Sequence, residues 1–474
     1  FTENFRNLSL KTPLLALVNL HAENSDYTNY GYQNKNCYLT FASDFNQECL
    51  YSNYLRESNT SIDCLNVRSS NKCYEVIDSF SAFQCTFSKK LDECTYCHYS
   101  INLKNCNYCF WCNNLHNKSY CINNIQYSQE EYHTITKDLS YDHNNTRWIY
   151  SNLNMIQCEW CFWDSITNCK NVVFWFDVND IHSGKYVTNW PNTVQDYMDI
   201  DWAGMWSLSY YGVSIGWSWS SKNHFSSHIR DGSNNVLYSS FLINCNNCFW
   251  CISLRNKSYC IFNKQYTKEE YEIQVAKIIQ HMMTTGEWWE FFHPSLSPFG
   301  YNETVAQEYY YTSSPSLLLS EKGDHKNESP SLSGEGFGVR FEDLKIFWYK
   351  RSTYNADPSL PAWVQTIERK NYSDEQWDAL LSQDNLETQV FLCSVSGRPY
   401  RLQKAEIEFY RKHHLPIPDK HPDIRHEEHM KLRPWRTLFL RNCDCCGKEM
   451  LSVYPQDHEW KVYCEECYQK EVYS

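Results

Sequence analysis

The stretch Asn105–Tyr132 reads NCNYCFWCNNLHNKSYCINNIQYSQEEY, and it recurs at Asn244–Tyr271 as NCNNCFWCISLRNKSYCIFNKQYTKEEY. The two copies align without a gap. Each copy carries four cysteines at equivalent places, which are Cys106, Cys109, Cys112 and Cys121 in the first and Cys245, Cys248, Cys251 and Cys260 in the second. Similarity of this degree indicates an internally duplicated unit, so a repeat architecture is the first hypothesis.

Single cysteines extend this pattern toward the N-terminus of the first copy. Seven of these cysteines are Cys37, Cys49, Cys64, Cys73, Cys85, Cys94 and Cys106. Among these seven positions, the gaps from Cys64 onward alternate between 9 and 12 residues. We interpret this alternation as a repeat of 21 residues, which would stack Cys64, Cys85 and Cys106 on successive rungs. Short segments around the cysteines alternate small or apolar residues with polar ones, as half-buried strands do.

Two short strands per repeat, with no helical segment between them, are typical of a parallel β-solenoid whose coils stack about 4.8 Å apart. Buried cysteines suit an inward ladder, with disulfides or bound metal as the alternatives. Asparagine at the bends tolerates a left-handed backbone. Capping boxes at 128–131 and 267–270 predict a helix across the last coil of each unit. We therefore predict a mainly β protein with a duplicated right-handed parallel β-solenoid and capping helices.

The composition along the chain predicts five regions. The 312–335 stretch is rich in Ser, Pro and Gly, which is typical of a linker. We expect an N-terminal lead-in at 1–34, a first solenoid unit with its capping helix at 35–140, a second unit with its capping helix at 141–300, a linker at 301–345, and a C-terminal domain at 346–474.

The strongest chemical motif lies near the C-terminus. Cys443 and Cys446 form one C-x-x-C pair, and Cys464 and Cys467 form another after seventeen intervening residues. Two such pairs supply four thiolates for a tetrahedral metal site, and Gly447 permits the left-handed turn after the first pair. The spacing predicts a zinc ribbon over 443–467 with a structural Zn²⁺. Four sulfur ligands leave no open position for a reacting water, so we expect the metal to stabilise the fold.

Charge and composition narrow the class of protein. The chain has 474 residues, 24 cysteines and a net charge of −13. Reduced C-x-x-C pairs in a long chain favour the cytoplasm, and no apolar run is long enough for a membrane span. Net acidity disfavours nucleic acid on average, although 401–441 carries ten Lys/Arg against six Asp/Glu and could bind it locally. A protein partner is the stronger expectation, and the oligomeric state is open.

Catalytic motifs are scarce. The sequence has no G-x-S-x-G, H-E-x-x-H, Walker or dinucleotide-binding pattern. Asp196, Asp199 and Asp201 could bind calcium or act as an acid and a base, and the aromatic tract Trp202–Trp219 could stack on sugars or bases. Ordinary strand carboxylates and core packing explain both features more simply. The C-x-x-C pairs of the repeats could bind zinc between coils, but ladder packing is favoured over this as well.

Several segments together resemble a family of large zinc-ribbon, Cys-rich repeat proteins predicted in candidate-phyla bacteria. They are AENSDYTNY, KNCYLTF, the second repeat copy, LSPFGYNETVAQEYY, EFYRKHHLPIPDKHPDIRH and CDCCGK with VYCEECYQKEVY. The resemblance spans nearly the whole chain and implies the metal site at 443–467, but it implies no particular activity.

Members often have a further zinc-finger segment that would precede Phe1. A C-terminal copy of that segment keeps Cys393, but Ser396, His421 and Ile424 stand where its other cysteines would be. The resemblance therefore implies that this copy holds no metal.

These observations favour a non-enzymatic scaffold or interaction protein stabilised by zinc. A carbohydrate-binding or carbohydrate-active solenoid is the first alternative. An RNA- or ribosome-associated zinc protein that binds through 401–441 is the second.

Overall fold

A computed structural model describes residues 1–13, 19–137, 149–153, 222–290, 296, 360–361, 363–434, 439–458 and 460–473. Between residues 155 and 215 it describes the backbone of six strands without their side chains. The described chain is mainly β-structure, with a β-solenoid of about 14 turns, helices and a C-terminal cysteine cluster. The predicted fold class is therefore confirmed, while the hand of the coil stays a prediction.

The first solenoid unit consists of short strands that pair in parallel. Pairing between coils begins at Asn19, inside the segment expected as a lead-in. The strands are Asn19–Leu20, Gly31–Tyr32, Asn53–Arg56, Leu65–Arg68, Tyr74–Phe80, Thr86–Asp92, Thr95–His98, Ile101–Lys104, Asn107–Phe110, Asn113–His116 and Ser119–Ile122, with Ile125–Gln126 closing the unit as an antiparallel edge.

Each coil of the first unit contains twelve residues, not 21. Leu65 lies opposite Ile77, and Cys97 lies opposite Cys109, which in turn lies opposite Cys121. The expected stack of Cys64, Cys85 and Cys106 is therefore wrong, since these residues belong to three different inward ladders. One ladder comprises Cys37, Cys49, Ser61, Cys73, Cys85, Cys97, Cys109 and Cys121, all twelve residues apart. The gaps of 9 residues join cysteines on different sides of the coil.

The backbone conformation of the coil repeats every three residues. Every third residue from His21 to Asn123 has a left-handed backbone, with φ between 45° and 62°. Left-handed backbone costs an L-residue about 1–2 kcal/mol, so it is retained here because the stacked coils require it. The residue after each bend points inward, as Cys97, Ser100, Leu103 and Cys106 do on one coil, all at most 1% exposed. Twelve residues thus make four bends and a four-sided coil.

Inward polar side chains complete the backbone hydrogen bonds. The N–H of an inward residue meets the side chain one coil earlier: Cys64 N–H donates to Ser52 Oγ at 3.0 Å, and Ser58 N–H donates to Asn46 Oδ1 at 3.0 Å. Inward thiols donate to backbone carbonyls of their own coil, as from Cys49 Sγ to Gln47 O at 3.4 Å. Buried N–H groups need partners, so inward Ser, Asn and Cys satisfy polar groups as well as fill space.

Asparagines form ladders on the outside of the coils. Asn102 donates to Asn114 at 2.8 Å, and Asn105 donates to Asn117 at 2.7 Å, each across one coil. These residues occupy left-handed bends. Asparagine is among the residues that adopt this backbone most readily, so the predicted role of asparagine is confirmed.

The second unit has the same plan with less regular coils. The register is twelve residues from Asn234 to Asn246 and thirteen from Ser227 to Ser240, where Gly232 adds one residue at φ +76°. Its strands are Met155–Ile156, Phe162–Thr167, Val173–Asn179, Ile181–Lys185, Val194–Ala203, Ser209–Ile215, Asn223–Arg230, Asn234–Leu237, Ser240–Ile243, Asn246–Phe249, Ser258–Ile261 and the antiparallel edge Lys264–Gln265.

Helices cover the units as predicted at their C-terminal ends. Helix α2 (Gln129–Lys137) follows the Ser128–Glu131 capping box, and α3 (Lys268–Thr285) follows the Thr267–Glu270 box. Helix α1 (Thr2–Lys11) was not predicted. It packs on the second unit through Phe5, whose ring lies 5.3 Å from that of Trp250. None of the helices among the described residues has the length and apolar character needed to cross a bilayer.

The C-terminal domain consists of two small α/β halves. The first contains strands Thr366–Glu368, Val390–Leu392 and Pro399–Tyr400 with helices α4 (Asp374–Ala379), α5 (Lys404–His413) and α6 (Pro422–Lys431). The second contains strands Phe439–Asn442, Glu449–Ser452 and Lys461–Tyr463 with helix α7 (Glu465–Tyr473). Both halves contact the first solenoid unit, and Tyr74 of that unit packs against Phe409 and Tyr410 of α5.

Candidate metal centre and its surroundings

A tight hairpin turn positions the first pair of cysteines. Strands Phe439–Asn442 and Glu449–Ser452 pair antiparallel, and Cys443 begins the turn between them. Cys443 N–H donates to Lys448 O at 2.9 Å, and Gly447 N–H donates to Cys443 O at 2.9 Å. Gly447 has φ +74°, a conformation that glycine adopts without a steric cost. The turn directs Cys443 and Cys446 toward the same point.

The second pair sits at the start of α7. Cys464 directly precedes α7, and Cys467 lies one helical turn later on the same face. The four sulfurs of Cys443, Cys446, Cys464 and Cys467 all lie within 4.8 Å of one another. Cys446 Sγ is 3.8 Å from Cys464 Sγ. A tetrahedral site with metal–sulfur bonds of about 2.3 Å places its sulfurs about 3.8 Å apart, so the four thiols can hold a metal ion.

Backbone donors favour the thiolate form of Cys443. Cys464 N–H and Cys445 N–H donate to Cys443 Sγ at 3.2 and 3.4 Å. Burial alone would raise the pKa of Cys443, but N–H groups from Cys446, Cys464 and Cys445 lower it to about 6. Metals bind thiolates, so these donors prepare the sulfur for a cation. Cys445 is exposed and is not one of the four clustered thiols.

A buried arginine and an aspartate tie the two cysteine pairs together. Arg441 donates to Asp444 Oδ2 at 2.8 Å and to Pro455 O at 2.7 Å. The same Asp444 oxygen accepts Val462 N–H at 2.7 Å, two residues before Cys464. Sequence reasoning missed this pair. The sequence does contain a signal for this ion pair. An acidic residue lies inside the first cysteine pair, and a basic residue lies two positions before that pair.

The first half of the C-terminal domain has the same kind of turn at Cys393 as the second half has at Cys443, but it lacks the other cysteine ligands. Cys393 N–H donates to Arg398 O, Gly397 N–H donates to Cys393 O, and Gly397 has φ +69°, which repeats the geometry around Cys443. Burial would raise the pKa of Cys393, but N–H groups of His421 and Ser396 lower it. Ile424 packs against the apolar cluster that contains Cys393. Among the described residues, the clustered metal-binding cysteines are those at 443–467, and the lack of a metal at Cys393 stays a prediction.

Cysteines of the solenoid fill its core. The thiols of Cys106, Cys109 and Cys112 donate to backbone carbonyls two residues earlier in the chain. The described cysteines of both units are buried and free of disulfides. The favoured interpretation of ladder packing is consistent with this geometry.

The basic segment 401–441 contacts the acidic side of the first unit. Arg425 pairs with Asp63, and Arg433 Nε lies 2.9 Å from Asp78 Oδ1. His429 Nε2 lies 3.7 Å from Glu75 Oε2. These three residues recur every four positions, so they lie along one face of α6 and its C-terminal extension. The aspartates and glutamate belong to adjacent coils. Part of the local positive charge is therefore engaged within the chain.

The carbohydrate hypothesis concerns residues whose side chains lie outside the described part. Asp196, Asp199 and Asp201 belong to the strand Val194–Ala203, which confirms only that they share a strand. The tract Trp202–Trp219 contains the strand Ser209–Ile215. Its segments 204–208 and 216–219 are not described.

Comparison with known proteins adds no relative. No family model and no curated protein matches this chain. The solenoid and the cysteine centre therefore define the class of protein. It is a β-solenoid protein with a C-terminal Cys₄ centre that can hold a metal ion.

Proposed function

We propose that this protein is a non-enzymatic interaction scaffold in which a structural Zn²⁺ folds the 443–467 ribbon. The observation that carries the proposal is the closed set of four thiols within 4.8 Å of one another. Zn²⁺ is the common occupant of a four-sulfur tetrahedral site, and such sites stabilise folds because no ligand position is free for a substrate.

The regular outer surface of the solenoid supports the role of an interaction scaffold. Twelve-residue coils repeat the same outward positions along the axis, so each side presents a straight, rigid column of side chains. One side of the first unit already holds a folded domain. Phe45 and Phe80 are 40% and 45% exposed at outward positions of this unit. Exposed aromatic residues on a rigid surface favour a protein partner.

Two measurements test this proposal. Elemental mass spectrometry of the full chain, purified under reducing conditions, should give one zinc per chain, and Cys467→Ser should lose it. Native capture should retain a partner on the chain and lose it on a Phe45→Ser/Phe80→Ser variant. A chain without stoichiometric metal would refute the zinc assignment. Turnover of a polysaccharide by the purified chain would refute the non-enzymatic role.

A further inference from the structure

The segment 149–153 joins the first solenoid unit to the second and adds a strand to the C-terminal ribbon. Ile149–Ser151 pairs in parallel with Lys461–Tyr463, with Tyr150 opposite Val462. Asn152 N–H extends the pairing with a hydrogen bond of 2.9 Å to Tyr463 O. Residues about 310 positions apart in sequence are thus joined through their backbones.

Asn152 and Leu153 also hold the hairpin of the ribbon. Asn152 Nδ2 donates to Leu451 O at 3.1 Å, and Asn152 O accepts Ser452 Oγ at 3.1 Å. Leu153 is 8% exposed and packs with Val453, Tyr454 and Val462. The crossover segment therefore bridges the hairpin strand and the strand that leads into the second cysteine pair.

The metal centre is continuous with this contact. The strand Lys461–Tyr463 is followed directly by Cys464, whose N–H donates to Cys443 Sγ. Beyond Cys467, the hydroxyl of Tyr468 accepts from Asn102 Nδ2 at 2.6 Å and donates to Asn114 Oδ1 at 2.9 Å. Both asparagines belong to the outer ladder of the first unit. The four cysteines fix the relative positions of the hairpin, the third strand and α7, so they also fix the surface that receives residues 149–153.

We propose that the ribbon is a metal-dependent clamp on the crossover between the two solenoid units. This inference rests on the proposed metal site and extends its role, because zinc would order a strand edge that holds 149–153 by β-strand addition. Binding at two coupled sites is reciprocal. If zinc stabilises the clamp, then the clamp must raise the affinity for zinc by the same factor.

The experiment measures zinc affinity by competition with a chelator of known affinity, on the full chain with its thiols reduced. Asn152→Ala removes the side-chain hydrogen bond to Leu451 O and should weaken zinc binding about fivefold. Asn244→Ala is the matched control, since Asn244 donates to Asn256 within the second unit, and it should leave the affinity unchanged. Asn152→Asp, which cannot donate, replaces the alanine variant if that variant misfolds.

Hydrogen exchange provides the second readout. Removing zinc should raise exchange at 149–153 and 461–463 and leave the coils around Cys64 protected. Unchanged protection at 149–153 after zinc loss, or unchanged zinc affinity in both Asn152 variants, would overturn the clamp. A full chain that binds no zinc at all would overturn the proposed function as well, and the two failures are therefore distinguishable.

Discussion

Asp63 and Arg425 form an ion pair with only 2% and 4% of their side chains exposed, although 362 residues separate them in sequence. The guanidinium carbon of Arg425 also lies 4.8 Å from the centre of the Tyr51 ring. A charge buried to this extent is tolerated only beside an opposite charge. The pair therefore selects one position of the C-terminal domain on the first solenoid unit.

Removing one member of this pair should loosen the docking of α6. Asp63→Ala removes the carboxylate that is paired with the buried Arg425 charge, and removing one partner of a buried ion pair costs about 3–5 kcal/mol. We expect the free energy of opening of α6, measured by hydrogen exchange, to fall by up to that amount.

Two further variants complete this experiment. Asp92→Ala breaks the half-exposed Asp92–Lys104 pair on the same unit and should cost less than about 1 kcal/mol. Asp63→Leu/Arg425→Met should recover most of the loss, since two apolar groups leave no unpaired charge. An Asp63→Ala chain with unaltered exchange in α6 would contradict the role given to the pair.

Glu406 lies beside this pair and should make the docking weaken as pH rises. Burial raises the pKa of Glu406 to about 8, although the Arg425 charge opposes the rise. The surrounding titratable groups are Tyr38, Tyr51, Tyr74, Tyr400, Tyr410, Asp63 and Arg425. The unfolded chain releases this proton near pH 4.5 and the folded chain near pH 8, so the unfolded state binds fewer protons between these values and stability falls with rising pH.

Glu406→Gln isolates this effect, because glutamine has no proton to release. Burial also raises the pKa of Asp63, to about 6, and this contribution is present in both chains. Between pH 6 and 8, the opening free energy of α5 and α6 should decrease more steeply in the original chain than in the variant. Parallel pH profiles for the two chains would show that Glu406 does not titrate in this window.

The fold class could be predicted from sequence because the repeat signal is local. Each Cys, Ser or Asn at an inward position forms contacts within its own coil and with the next coil, so the sequence pattern repeats along the chain. The coil length was misread because only cysteines were counted. Ser52, Ser58 and Ser100 occupy the same ladders as cysteines and make the twelve-residue period visible once they are included.

The candidate metal centre was likewise predictable, since both cysteine pairs are short local motifs. The contacts around it were not. Tyr468 with Asn114, and Asn152 with Leu451, join residues roughly 300 or more positions apart. A local periodic pattern in the sequence does not indicate which distant residues are in contact. Single tyrosine or asparagine residues are also too common to identify an interface. Packing between units therefore had to come from the structure.

The two neighbouring thiols Cys443 and Cys445 should differ sharply in their importance for metal binding. Cys443 is 3% exposed and lies in the sulfur cluster, whereas Cys445 is exposed. Cys443→Ser should lose the bound metal and the ordered structure of 439–473, while Cys445→Ser should keep one metal per chain. Metal content by elemental mass spectrometry and helix content of α7 by hydrogen exchange measure the two effects. Equal metal loss in both variants would place Cys445 among the ligands.

The inward hydroxyl of Ser52 should contribute to stability through the backbone. Its Oγ accepts Cys64 N–H at 3.0 Å and donates to Leu50 O at 2.8 Å, and the side chain is fully buried. Ser52→Ala leaves the buried N–H of Cys64 without its acceptor, which costs about 1–3 kcal/mol. The opening free energy of coils 49–64 by hydrogen exchange should fall by this amount.

Two matched variants separate the hydrogen bond from the volume at this position. Ser52→Cys should cost less than Ser52→Ala, because a thiol can accept a backbone N–H here, as Cys251 Sγ accepts Asn263 N–H at 3.4 Å in the second unit. Ser81→Ala changes a serine at an outward bend and should stay within about 0.5 kcal/mol of the original chain. If Ser52→Ala is as stable as Ser81→Ala, inward side chains do not complete the backbone pairing, and the preference for Ser, Asn and Cys in the ladders must come from size alone.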